Sequence, residues 1–235
     1  MARTIDLNAD VGEGIAGDRE LLALVTSASI ACGFHAGDTA TMHSLCREAA
    51  TRGVTIGAHV GYRDREGFGR RPLDVPPETV EADTAEQLDA LQGIARAEGG
   101  RVAYVKLHGA LYDRSNRDAE CAAAVVRALR AERSPAVLAF PDSQLINQAA
   151  AAGLTTAAEG FADRRYAADG TLVSRAEPGA ILDEQAAVDQ ALRLARERQK
   201  IRSLCIHGDT PGALALAGRI VDELQAAGIE LSPFA

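Results

Sequence analysis

What this chain lacks excludes several classes before any motif is read. It has no tryptophan, and only 4% of its residues are aromatic. Cys32, Cys46, Cys121 and Cys205 are scattered without a CxxC pair, so neither a zinc knuckle nor a dithiol redox motif is present, and buried free thiols are the first reading. Cys32 and Cys205 stand near His35 and His207, which leaves a nucleophilic thiol as the lesser alternative. No stretch approaches about 18 consecutive apolar residues, and the opening MARTIDLNADVGEG has no apolar signal-peptide core. A cytoplasmic protein with no membrane attachment is therefore expected. No stripe of Lys and Arg exists either: the net charge of −8 and pI near 5.2 argue against a nucleic-acid surface. A G-x-x-x-x-G-K-[ST] loop is missing, so the chain has no dedicated phosphate loop. No linker, repeat or low-complexity segment marks a boundary, and one domain over 1–235 is expected.

What is present reads as strand and helix in alternation. The apolar fraction of 47% and charged fraction of 25% belong to a chain that can bury a sizeable core. Short apolar runs that end in glycine, histidine or aspartate are the pattern of parallel strands buried on both faces. Such strands are expected at 4–7, in the stretch opening at Ser29, and at 54–59, 101–107, 136–140, 155–158 and 203–206, with 180–182 as a further short edge or barrel strand. Helical spacing falls at 20–25, 38–53, 76–99, 118–131, 142–152, 184–198 and 213–227, with Asp38 as an N-cap and Gly53 as a C-terminal stop. A length of 235 residues with this alternation is that of an α/β barrel.

The polar residues gather where strands end. Asp6, Asn8 and Asp10 alternate, which points all three to one side of an extended segment. For Asp10 and Glu13 the competing reading is capping of a helix that begins near Asp18. His35, His59, His108 and His207, four of the five histidines, stand at the C-terminal ends of four strands. Parallel strands bring those ends to one face, so a shared active site is expected. His43 falls inside a helix and reads as surface or packing. Lys106 lies within a buried strand and must face a partner or a polar cavity, because an unpaired buried ammonium is costly. The glycine-punctuated loop 60–71 carries Arg70 and Arg71, each suited to clamp an anion or to form a surface ion pair. Two chemistries stay open. The histidines with Asp10, Asp38 and Asp209 suit a divalent metal that polarises a carbonyl or activates water. They suit equally a metal-free acid/base site in which Lys106 and backbone amides stabilise an oxyanion.

The stretches DLNADVGE, IACGFHAGD, GAHVGYRDREGFGRR, VKLHGALY, EGFADRRY and CIHGDTPGA resemble the successive motifs of the LamB/YcsF family over nearly the whole chain. The chain departs from the family's usual pattern at Val60 and Leu107, where proline is customary. The resemblance implies a single distorted β/α barrel of about seven parallel strands, of the glycoside hydrolase/deacetylase type. It also implies ATP-dependent opening of the lactam of 5-oxo-L-proline to L-glutamate, with ATP and its Mg2+ counter-ion, and with 5-oxoprolinase subunits B and C as partners. For that chemistry the expected catalytic groups are Asp10, His35, His59, Lys106 and His207, with Lys106 and Arg70 binding anionic charge. The expected substrate-binding groups are Asn8, Glu13, Asp38, Arg70, His108, Glu159, Asp163 and Asp209. A protein-bound metal is left undetermined, and so is the oligomeric state. The alternatives are a metal-dependent deacetylase or amidohydrolase on the same barrel, and a non-catalytic regulatory binding subunit.

Overall fold

The computed structural model describes residues 3–131, 135–197, 200–210 and 212–235. Its elements run β1 (Arg3–Val11), α1 (Asp18–Leu21), β2 (Ser27–Ala31), α2 (Thr39–Arg52), β3 (Thr55–Val60), α3 (Pro77–Ala97), β4 (Val102–Leu107), α4 (Gly109–Arg117), α5 (Ala119–Ala131), β5 (Ala136–Ala139), α6 (Gln144–Ala151), β6 (Thr156–Phe161), α7 (Glu184–Arg196), β7 (Ser203–His207), α8 (Ala213–Ala226) and β8 (Ile229–Leu231). Strands β1 to β7 are parallel and close into a barrel in the order β2-β3-β4-β5-β6-β7-β1, with β1 pairing back onto β2. β8 lies outside that closure and pairs only with Arg3 to Ile5, below the level at which β2 takes over at Asn8.

The sequence supplies the local reasons. Asp38, Ser143 and Asp183 accept the backbone N–H of Thr41, Ile146 and Ala186 and so start α2, α6 and α7. Gly53, at φ 71°, ends α2 in a left-handed turn that a side chain would strain. The outward strand residues Leu7, Val11, Ile30, Ile56, Val105 and Leu204 are buried beneath the helices. Each such side chain stabilises the fold by roughly 1.5–3 kcal/mol.

The inward face is different in kind. The register sets Asp10 opposite Ser29 and His207, Ala31 opposite His59, His59 opposite Lys106, and Glu159 opposite Ser203. Neighbours in register point the same way, so the barrel interior is lined by Asp, Asn, Ser, His, Lys and Glu. At its lower end Asp6 accepts hydrogen bonds from Thr26, Ser27 and Ser203. That ring of hydroxyls lets a buried carboxyl sit in the core.

Several expected boundaries differ. β1 extends through Val11, so Asn8 and Asp10 are strand residues and neither Asp10 nor Glu13 caps a helix; Asp18 instead accepts the N–H of Gly12. The segment 180–182 is not a barrel strand, because its contact is one antiparallel bridge from Ile181 to Arg164. α4 was hidden from periodicity because it is only 9 residues long, follows His108 directly and runs almost into α5. The helix expected to run to Arg198 is observed over Glu184–Arg196, and Arg198 lies outside the described residues. Val60 and Leu107 are paired strand residues, and the Val60 carbonyl accepts the N–H of His108.

One packing contact is tight enough to test. A Cβ on Gly57 would fall inside the ring of Tyr104, which lies over β3 to share a 3.0 Å hydrogen bond with Ser29 on β2. Gly57→Ala is expected to cost about 1–3 kcal/mol of unfolding free energy in denaturant titration. Adding Tyr104→Leu should recover part of that loss, as a shared steric contact requires.

Candidate active site

The centre of the barrel is organised around Lys106, which is 2% exposed. Its Nζ donates to Asn8 Oδ1 at 3.2 Å, Asp10 Oδ1 at 3.0 Å and Cys205 Sγ at 2.9 Å. It also lies 3.0 Å from Glu159 Oε2, an ion pair without the alignment of a hydrogen bond. Burial by itself would pull the ammonium pKa down, but the charges of Asp10 and Glu159 and the hydrogen bond to the Cys205 sulfur override it and hold the group charged. Burial pushes the thiols of Cys32 and Cys205 well above their ordinary range, so neither is a ready thiolate.

Above this layer three imidazoles converge on one carboxylate oxygen. Glu13 Oε1 lies 3.3 Å from His35 Nε2, 3.4 Å from His59 Nε2 and 3.1 Å from His108 Nδ1. All four residues are buried. His35 and His108 stack with centroids 3.9 Å apart, and His59 stands edge-on to both. Burial would raise Glu13, but its contacts with His108, His35 and His59 hold it far below the carboxylate range. Burial pushes His35 down to about 3 and lowers His108, with Glu13 opposing in both cases. His59 goes the other way: burial would lower it, yet the charges of Asp10 and Glu13 raise it. Asp10 is held at about 2, because His59, Lys106 and His207 outweigh its burial. The site therefore concentrates negative potential at the cluster.

The loop after β3 completes this wall by its backbone. Phe68, at φ 52°, turns its carbonyl to accept from His108 Nε2 at 2.8 Å. Gly69 follows at φ 65°, and a Cβ there would press within 2.8 Å of His35 and 2.9 Å of His108. The sequence marked this loop through its arginines and glycines. The contact that matters is a main-chain carbonyl, which no residue type announces.

A second paired group faces the same cavity from β7. His207 Nδ1 lies 2.9 Å from Asp163 Oδ1, and Asp163 also accepts from the His207 backbone N–H and, at 2.5 Å, from Thr210. Asp163 fixes the proton on Nδ1 and leaves Nε2 free as an acceptor. Burial would raise Asp163, but His207 and Thr210 keep it below 3.8. A cavity of about 950 Å³ opens onto these groups and is lined by Asp10, His59, Lys106, His108, Arg164 and His207.

Of the remaining expected site residues, Asn8 and Glu159 hold Lys106 from below. Asp209 sits at the rim, paired with Arg70 at 2.6 Å and with Arg175 at 3.1 Å, so both charges of that pair are already partnered. Asp38 is not brought to the cluster; it is exposed and capped onto α2. His43 pairs with Glu98 on the outer surface. Among the cavity residues that the sequence reading leaves unassigned are Arg164 and Arg175. Arg164 is buried, donates through Nη2 to Val173 O, and keeps an Nε with no acceptor. Its signal is the motif EGFADRRY, which brings both charge signs to the end of β6.

The chain is 51% identical to the A subunit of 5-oxoprolinase from Streptomyces avermitilis, over 98% of this chain and all of that one. Among solved structures it superimposes on the lactam utilization protein of Thermus thermophilus with a TM-score of 0.90 and 36% identity, covering 98% of this chain and 100% of that one. A family 4 carbohydrate esterase from Streptomyces lividans shares the barrel at a TM-score of 0.58 and 14% identity, over 99% and 93% of the two chains. The model of the LamB/YcsF family matches residues 5–235. The chain belongs to the LamB/YcsF family.

Proposed function

We propose that this chain is the ring-opening subunit of an ATP-dependent 5-oxoprolinase that hydrolyses 5-oxo-L-proline to L-glutamate together with subunits B and C. The observation that carries this reading is the Asp163–His207 dyad aimed into the cavity of a barrel whose close relatives are named for 5-oxoprolinase and lactam utilization. A lactam carbonyl is a weak electrophile, and phosphorylation of its oxygen by ATP makes the ring carbon open to water. His207 Nε2 takes a proton from the attacking water, and the imidazolium is stabilised by Asp163. The same proton then goes to the ring nitrogen as the C–N bond breaks, leaving an acyl phosphate on the opened chain. Departure of phosphate in place of nitrogen would only regenerate the lactam, so delivery of that proton decides whether ATP is used productively. A second water releases phosphate and yields glutamate. Arg164, which lines the cavity and whose buried Nε has no acceptor among the described residues, anchors the substrate carboxylate. ATP and Mg2+ are engaged by the partners, in keeping with the missing phosphate loop.

With 5-oxo-L-proline and ATP, the chain together with its co-purified partners is expected to release glutamate and ADP in step, while the isolated chain is nearly inactive. Robust hydrolysis by the chain alone, independent of ATP, would overturn the reading. Asp163→Asn should lower kcat by about 10²- to 10⁴-fold by releasing the His207 tautomer. The folded pKa of Asp163 is below the ordinary 3.8, so its contribution to stability is complete above that value and fades as pH falls through the folded pKa. The stability gap between wild type and Asp163→Asn should accordingly narrow below about pH 4 in thermal melts. Arg164→Lys is expected to raise KM for 5-oxo-L-proline about tenfold or more while leaving kcat little changed, as loss of a bidentate carboxylate clamp requires.

A further inference from the structure

The ring-opening reading uses His207 and Asp163 and leaves the Glu13, His35, His59 and His108 cluster without a task. Its hydrogen atoms do not suffice for its lone pairs. His108 must keep a proton on Nε2 to donate to the Phe68 carbonyl, so in the neutral ring Nδ1 is a lone pair. That lone pair faces Glu13 Oε1 at 3.1 Å and His59 Nε2 at 3.0 Å. His59 Nε2 has one hydrogen at most for three acceptors, since Asp10 Oδ2 lies 3.4 Å away in addition to Glu13 and His108. Among the described residues the Nδ1 atoms of His35 and His59 have no hydrogen-bond partner, so none of them fixes either tautomer from that side. Around the same space four carboxylates, Asp10, Glu13, Glu159 and Asp163, are buried with two fixed cations among the described residues, Lys106 and Arg164.

The spacing fits a cation at the centre. Bonds of about 2.05 Å in a tetrahedron place ligand atoms about 3.3 Å apart. The contacts from Glu13 to the three rings measure 3.3, 3.4 and 3.1 Å, that from His59 to His108 is 3.0 Å, and all four ligand atoms lie within 4.8 Å of one another. The rings are also held in place: the His35–His108 stack, the Phe68 carbonyl, and the close approach of Gly61 and Gly69 to His35 leave little room to turn.

We propose that Glu13, His35 Nε2, His59 Nε2 and His108 Nδ1 bind one divalent transition metal of the zinc type. Three imidazoles and one carboxylate select zinc, cobalt, nickel or iron over magnesium and calcium, which take oxygen ligands. Asp10, Cys205 and His207 form a second trio within the same spacing, but the Cys205 sulfur already accepts from Lys106 and His207 is held by Asp163. Since His59 and His108 line the cavity and Glu13 and His35 lie behind them, the bound ion would present positive charge to the substrate side. This holds whichever amide the site opens.

The test is metal binding by the full-length chain, read without turnover. The chain stripped with a chelator and titrated with Co2+ should develop the visible d–d absorption of a low-symmetry nitrogen and oxygen site at one equivalent. Zn2+ should displace that absorption and raise the Tm of the wild type. Glu13→Gln, His35→Ala, His59→Ala and His108→Ala should each lower Co2+ affinity at least about tenfold. Cys205→Ala and His207→Asn should retain both absorption and stoichiometry. Should a single-alanine variant fail to fold by circular dichroism, His35→Gln and His59→Gln take its place. The proposal is overturned if the folded wild type binds no Co2+ or Zn2+ at micromolar concentration, or if binding persists in the folded cluster variants and is lost in Cys205→Ala or His207→Asn. None of these outcomes depends on lactam hydrolysis, so the metal site and the ring-opening assignment fail separately.

Discussion

The ammonium of Lys106 ties the barrel to its chemistry. One of two lysines in the chain, it sits on β4 and reaches Asn8 and Asp10 on β1, Glu159 on β6 and Cys205 on β7. Four strands thus meet at one cation. Removing it would leave Glu159 buried without its cation and Asp10 with His59 alone, a loss of the order of 3–5 kcal/mol. A barrel filled with aliphatic layers would be more stable by the ordinary logic of cores, and this one gives up that advantage to keep charge at its axis.

Charge at the axis dictates what can stand above it. With Lys106 neutralising Asp10 from below, the cluster of Glu13, His35, His59 and His108 stands above it, where the three imidazoles hold Glu13 ionised against its burial and the charges of Asp10 and Glu13 favour protonated His59. Across the cavity the Asp163–His207 pair is shielded by Phe161, which stacks on the His207 ring, and by Thr210. The two walls therefore differ in kind: one gathers buried imidazoles around Glu13, the other turns the His207 ring toward the cavity.

Much of this was legible along the chain. The alternation of Asp6, Asn8 and Asp10 is the period of a strand, and it put all three inside the barrel. The four histidines that end strands meet on one face because parallel strands all finish there. Asp38 shows the limit: it follows His35 by three residues in the same motif, yet it caps α2 on the outside, because a helix N-terminus takes the nearest short acid that can reach its free N–H groups. Arg70 shows it again, since its partner Asp209 comes from the far end of the sequence.

The sequence by itself determined the repeating unit, the closure of the family's barrel and the roster of polar residues at the strand ends, since each rests on local period and on motifs contiguous in the chain. Tertiary structure alone decided who faces whom: that Lys106 lies between Asp10 and Glu159, that Asp163 holds His207, and that a carbonyl of Phe68 fixes the proton of His108. Those pairings join residues separated by tens to nearly a hundred positions. Their geometry follows from barrel register and loop closure, and short-range periodicity carries no information about either.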